Sequence, residues 1–166
     1  MAVYSKIFSD DKLLSLLPEN VQNIFIITCG GCANESLAYD NDHPVLVFDK
    51  DVSATPYASY VEAKRIATML ETKGFNVNVK TLRGEMSILC VFSKDANDIL
   101  NMVNSPDVII TISCVSGALG LQLLIPKTPV IPAAYQVGYI SYTYKDEGDH
   151  RKILKDHSSC LLFEQK

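Results

Sequence analysis

The chain has 166 residues, 48% of them hydrophobic and 20% charged. That composition excludes a disordered chain and fits one domain of ordinary size, large enough to be stable by burial without a metal or a disulfide. The net charge of −4 comes with no basic block, which argues against a nucleic-acid partner. No apolar run reaches the ~18 residues of a membrane span, and the N-terminal stretch lacks the apolar core of a secretory signal. The expected location is cytoplasmic, where thiols stay reduced. Five cysteines, at 29, 32, 90, 114 and 160, make an odd count that points to metal, redox chemistry or plain burial rather than a disulfide framework.

Taken in order, residues 1–20 hold an amphipathic stretch, Asp10 to Leu17, expected as an N-terminal helix capped by Asp10 or Asp11 and stopped by Pro18. Val21 to Cys29 is an apolar run expected as a strand buried on both faces. Residues 34–57 form a less regular insert, with a turn at Asn41-Asp42-His43-Pro44 and a short edge strand at Val45 to Phe48, closed by Asp49-Lys50-Asp51. Pro56 to Gly74 carries Tyr60, Ala63, Ile66, Ala67 and Leu70 at helical spacing, with Gly74 as its C-cap. Asn76 to Leu82 alternates as a strand, so strand, helix and strand make a βαβ unit. Arg83 to Phe92 reads as strand or loop, and Ser93 caps a helix over Lys94 to Val103. Asp107 to Ser113 is a second buried strand. It is followed by a short helix from Ser116 to about Leu124, and Val130-Ile131 is a last core strand. Beyond Pro132 four tyrosines (135, 139, 142, 144) cluster without a clear period, and Lys145 to Asp156 is expected as a helix or an exposed tail. The architecture expected is a single α/β domain, doubly wound, with a mainly parallel sheet and helices on both faces. Residues 1–20 are its N-terminal helix, 21–132 its core and 133–166 a C-terminal extension.

The chemistry concentrates where apolar strands end. Cys29-Gly30-Gly31-Cys32 is a tight turn that brings two thiols together at the carboxyl end of a core strand, the edge at which open parallel sheets bind ligands. Cys114 follows the other buried strand and Cys90 precedes an expected helix, so Cys29, Cys32, Cys90 and Cys114 are candidates for one site. Four thiolates suit zinc or an iron–sulfur cluster, and nearby helix N-termini favour the thiolate form. Burial alone also accounts for cysteines in apolar runs, as at Cys90 and Cys160. Two thiol-based alternatives stand beside the metal: a redox pair at Cys29 and Cys32, and a nucleophile at Cys114 in the strand-to-helix turn Ser113 to Gly117. Gly30 and Gly31, with Ser116 and Gly117, are candidate cofactor-binding positions, although close helix–strand packing explains Gly117 and Gly120 equally well. His43, His150 and His157 read as surface residues.

The run Ile27 to Ala33, Cys90 before a helix, and Ile112 to Gly117 together resemble the methylenetetrahydrofolate reductase C-terminal-domain family, from roughly Val21 to Pro132 with a fainter echo near Cys160. The resemblance implies a small cysteine-rich zinc or iron–sulfur protein. Such proteins are fused to, or partner, a flavin-dependent methylenetetrahydrofolate reductase in anaerobic one-carbon metabolism. It also implies that Cys29, Cys32, Cys90 and Cys114 are the ligands and that the chain is a non-catalytic partner of such a reductase, or a homo-oligomer, rather than an enzyme. The chain departs from that family at Ser36, a position usually occupied by cysteine, in a tail that keeps only Cys160, and in its longer insert. The tyrosines after Pro132 are expected to lie near the cysteine edge and to offer a partner surface.

Overall fold

The computed structural model describes residues 1–48, 57–81, 89, 101, 103 and 105–163. In chain order they form β1 (Ala2–Ile7), α1 (Asp10–Ser15), β2 (Asn23–Thr28), α2 (Cys32–Asn41), β3 (Leu46–Val47), α3 (Ala58–Thr72), β4 (Asn76–Lys80), β5 (Val108–Ile112), α4 (Val115–Leu124), β6 (Val130–Pro132), β7 (Ala134–Asp146) and β8 (His150–Leu162). The strands make two four-stranded sheets, one in the order β4-β2-β5-β6 and the other in the order β1-β7-β8-β3.

All pairs in the first sheet are parallel. Its two inner strands are buried almost throughout, as their unbroken apolar runs require. Alternate residues face opposite layers. Ile24, Ile26, Val108, Ile110 and Ile112 pack with Ala63, Ile66, Ala67 and Leu70 of α3 on one side. Phe25, Ile27 and Ile109 pack with Leu121 of α4 on the other. Each of the fully buried isoleucines contributes about 1.5–3 kcal/mol through removal from water. The apolar residues of α3 recur at i, i+3, i+4 and i+7, and the helix ends before Gly74, whose φ of 93° is open to glycine without strain. Helices therefore lie on both faces of this parallel sheet.

The second sheet is antiparallel, and it corrects the expectation of one mainly parallel sheet. Residues 2–7 are a strand, not part of an N-terminal helix, and α1 starts at Asp10 with Ser9 as its cap, accepting from the Lys12 N–H at 3.3 Å. The stretch Lys145 to Asp156, expected as a helix or tail, belongs to a long hairpin of β7 and β8 that turns at Gly148, where φ is 84°. Its period of two was hidden because the inward positions of β7 include Gly138 and Tyr142 beside Ala134 and Ile140. A side chain at Gly138 would collide with the Leu161 carbonyl of β8, so the hairpin needs glycine there. β3 is a short edge strand against β8.

α2 falls where the sequence looked least regular. Its inner face mixes Ala33, Leu37 and Ala38 with the polar Asn34 and Ser36, which blurs the helical period. Both polar residues are satisfied. The Asn34 amide donates to the Val45 carbonyl at 2.7 Å and accepts the Ser59 N–H at 2.9 Å. Ser36 Oγ accepts the Ser5 N–H at 3.0 Å and donates to the Cys32 carbonyl at 2.7 Å, which ties β1 to α2. The expectations for Asp49-Lys50-Asp51, for Arg83 to Phe92 apart from Leu89, and for the helix over Lys94 to Val103 apart from Asn101 and Val103 lie outside the described residues, as does Cys90. Among the described residues, no helix is long and apolar enough to cross a membrane.

Candidate functional site

β2 and β5 are parallel neighbours in register from Ile24↔Val108 to Thr28↔Ile112, so they end side by side. The ladder runs one residue further, with the Cys29 N–H donating to the Ile112 carbonyl at 2.9 Å. From β2 the chain moves outward to β4, then crosses back to β5 on the opposite side of β2. The boundary between β2 and β5 is therefore the point at which strand order reverses, the usual ligand position in open α/β sheets. Each strand leads into a helix whose N-terminus opens on this edge: Gly31 precedes α2, and Cys114 is the extended cap residue of α4.

This geometry sorts the cysteines. Cys29, at 2% exposure, sits on the α4 side of the sheet with Phe25, Ile27, Leu89 and Leu121. Its sulfur accepts the Leu89 N–H at 3.4 Å. Cys32, the first residue of α2, is half-buried beside the Ala2, Tyr4 and Ile140 cluster under the antiparallel sheet. Cys114 is buried. The thiols of Cys32 and Cys114 are neighbours across the two strand ends, and each is the largest influence on the other's ionisation. The neighbouring Cys32 is the largest influence pulling the Cys114 thiol down, to about 5. Burial opposes it, and the backbone N–H groups of Gly117, Ser116 and Cys114 itself reinforce it. Cys114 in turn pushes the Cys32 thiol up, with burial adding to the shift. None of the four described cysteines is in a disulfide, and Cys160 is exposed on β8.

The candidate cofactor positions have structural explanations here. Gly31 is the residue before α2, and its carbonyl accepts the Glu35 N–H at 3.1 Å. A Cβ on Gly117 would lie 2.8 Å from Ser113 Cβ and 3.3 Å from Leu89 Cβ, so glycine lets α4 start close against β5 and keeps its N–H near the Cys114 sulfur. Ser116 is exposed and Gly30 half-exposed at the same edge. Ser36, at the position usually occupied by cysteine in the resembled family, is fully buried and spends its hydroxyl on backbone partners. Among the described residues, no group of three or more His, Cys, Asp or Glu side chains is arranged to hold a metal ion.

One part of the site escaped the sequence reading of individual residues. Glu35, in the first turn of α2, accepts the Tyr144 hydroxyl at 2.9 Å, and the Tyr142 ring packs against that of Tyr144. The two rings lie 5.1 Å apart, and burial raises both phenols, Tyr144 to about 12. The spacing Cys32–Glu35 was the available signal, since residues three apart share a helix face. Tyr135 instead stacks on Phe8 and Tyr139 packs against Phe163. Fold and site together define a mixed α/β protein with two neighbouring thiols at the switch edge of its parallel sheet. Comparison with protein-family models, curated proteins and solved structures finds no match to the chain.

Proposed function

We propose that this chain works through its thiols, with Cys114 as nucleophile and Cys32 as its resolving partner in thiol–disulfide exchange. The observation that carries this reading is the placement of Cys32 and Cys114 as neighbours just beyond the adjoining ends of β2 and β5. The Cys114 thiolate attacks one sulfur of a substrate disulfide, forming a mixed disulfide and expelling the substrate's other sulfur as a thiolate. Cys32 then loses its proton and attacks the Cys114 sulfur, which closes a Cys32–Cys114 disulfide and releases the second substrate thiol. Two electrons pass from the protein to the substrate, and a reducing compartment such as the cytoplasm would restore the dithiol. The parallel sheet between α3 and α4 fits a doubly wound functional core, to which the antiparallel sheet contributes a wall beside Cys32.

The family resemblance supports a second reading: a zinc or iron–sulfur accessory protein for a flavin-dependent reductase in one-carbon metabolism, bound as a partner subunit or acting as a homo-oligomer. Cys29, Cys32 and Cys114 end at one edge, and Leu89, adjacent in sequence to Cys90, bonds the Cys29 sulfur. The described side chains do not by themselves complete a metal site, and the reading depends on Cys90. One preparation separates the readings: protein purified without oxygen, analysed for zinc and iron, then titrated with iodoacetamide from pH 4 to 9. The dithiol reading expects sub-stoichiometric metal and fast alkylation of Cys114 persisting well below the pH at which an ordinary thiol ionises. One zinc or an iron cluster per chain, with Cys114 protected until a chelator is added, would replace it with the metal reading.

A further inference from the structure

β8 is covered along only part of its length. Its start lies between β7 and β3, with His150 and Arg151 opposite Val47 and Leu46. After Leu154 it breaks register with β7 and resumes at Ser159, and from there to Leu162 it pairs with β7. Among the described residues, no strand lies on the far side of 159–162. Phe163 donates its N–H to the Val137 carbonyl at 2.8 Å, so the odd-numbered residues of this antiparallel ladder turn their backbone groups to β7. Cys160 and Leu162 therefore turn theirs to the open edge. The side chains are uncovered on both faces as well. Leu161, opposite Tyr139, is 68% exposed, and Leu162, on the other face, is 61% exposed. Free edges are ordinarily guarded by Lys or Pro. From Ser158 to Phe163 this edge has no charge and no proline.

We propose that this edge pairs with a second copy of the chain, antiparallel about a two-fold axis at Leu161, so that the two antiparallel sheets join into one across a dimer. The register follows from the backbone. Cys160 of one copy and Leu162 of the other exchange both N–H···O bonds, and the axis repeats the exchange, which uses all the outward groups of these residues. Leu161 then meets its own counterpart at a non-hydrogen-bonded position, where Cα atoms lie about 4.5 Å apart. It does so beside Tyr139 and Phe163, whose rings already pack at 5.4 Å. On the other face Leu162 covers the counterpart of Cys160. Charge selects a second copy as the occupant. Copies that each carry −4 repel on most approaches, and this edge brings no charge to the contact. A two-fold contact requires a surface complementary to itself, which an open antiparallel edge is. The pairing is independent of the thiol chemistry proposed above.

The test is sedimentation equilibrium of the full chain under reducing conditions, from about 1 μM to about 1 mM. The expected result is a dimer that grows with concentration, and a monomer throughout overturns the proposal. Leu161→Lys sets two cations face to face and removes one leucine from each side, each worth about tenfold, so the dissociation constant should rise about a hundredfold or more. Leu162→Pro keeps an apolar side chain and removes an N–H that faces the partner rather than β7, so it should also weaken the dimer. A dimer indifferent to Leu161→Lys is formed elsewhere on the molecule. A dimer weakened by Leu161→Lys but not by Leu162→Pro is packed face to face. Either result overturns the edge pairing. Leu161→Cys, which only shortens an exposed side chain, decides the question if the other variants do not fold. Oxidised with diamide and mapped without reduction, it should give a dimer linked through residue 161 of both copies, a spacing within disulfide reach. The absence of that link, or a link through Cys160 of both copies in its place, overturns the proposal.

Discussion

Replacing Gly117 by alanine tests how closely the fold and the thiolate are linked. An added Cβ would lie 2.8 Å from Ser113 Cβ and 3.0 Å from Ser113 Oγ. Ser113 cannot swing away, because the blocking carbon is attached to the backbone of a fully buried residue whose hydroxyl is bonded to Thr111 and to the Cys114 carbonyl. The start of α4 must shift instead. Overpacking of this kind costs about 1–3 kcal/mol, and alanine returns about 1 kcal/mol of helix propensity. The net expected loss is about 1 kcal/mol, a fall in Tm of ~2–4 °C for a chain of this size. The shift also moves the Gly117 and Ser116 N–H groups from the Cys114 sulfur, so the thiol should ionise at higher pH. Thermal melting and the pH dependence of Cys114 alkylation read the two effects on one sample. Ser113→Gly in the same chain removes the blocking carbon and should recover both. A Gly117→Ala protein with a raised Tm and an unaltered Cys114 profile would refute the reasoning.

Ser36→Ala strands the buried Ser5 N–H and should cost about 1–3 kcal/mol in chemical denaturation without changing Cys114 reactivity; a neutral result would remove the assigned role of Ser36 in anchoring β1. The thiol pair also makes stability depend on pH. Cys114 ionises at about 5 in the folded chain against a reference of 9.0, so its contribution grows from about pH 5 and is complete above pH 9. Cys32, shifted upward, opposes any gain above pH 9. Denaturant midpoints should therefore rise from pH 5 to 9 relative to a Cys114→Ser variant, and parallel curves for the two proteins would contradict the assignment. Cys114→Ser itself should fold and lose the fast-alkylating thiol, which a single mass-spectrometric time course would check.

The parallel half of the fold was legible because its strands are buried on both faces and carry unbroken apolar runs, as in Ile24 to Thr28 and Val108 to Ile112. α3 was legible because its apolar residues keep helical period and Gly74 marks its end. The antiparallel sheet was not, since its inner positions mix Tyr, Gly and Ser with the aliphatic residues and so blur the period of two. α2 was hidden by buried Asn34 and Ser36, whose value lies in hydrogen bonds that no periodicity reports. Cys29, Cys32 and Cys114 were visible as thiols at strand ends, but the pairing of Cys32 with Cys114 depends on which strands lie side by side. Glu35 gained its place from β7, a strand more than one hundred positions away in sequence, as the Tyr144 bond spans 109 residues.

The central claim is that Cys32 and Cys114 form the working pair. Anaerobically purified protein treated with a small excess of oxidised glutathione, then digested and mapped without reduction, tests it directly. The expected product is a Cys32–Cys114 linked peptide that forms through a glutathione adduct on Cys114 and disappears on reduction. A Cys29–Cys32 link as the main product, or a chain whose thiols stay unreactive because zinc or iron holds them, would contradict the account.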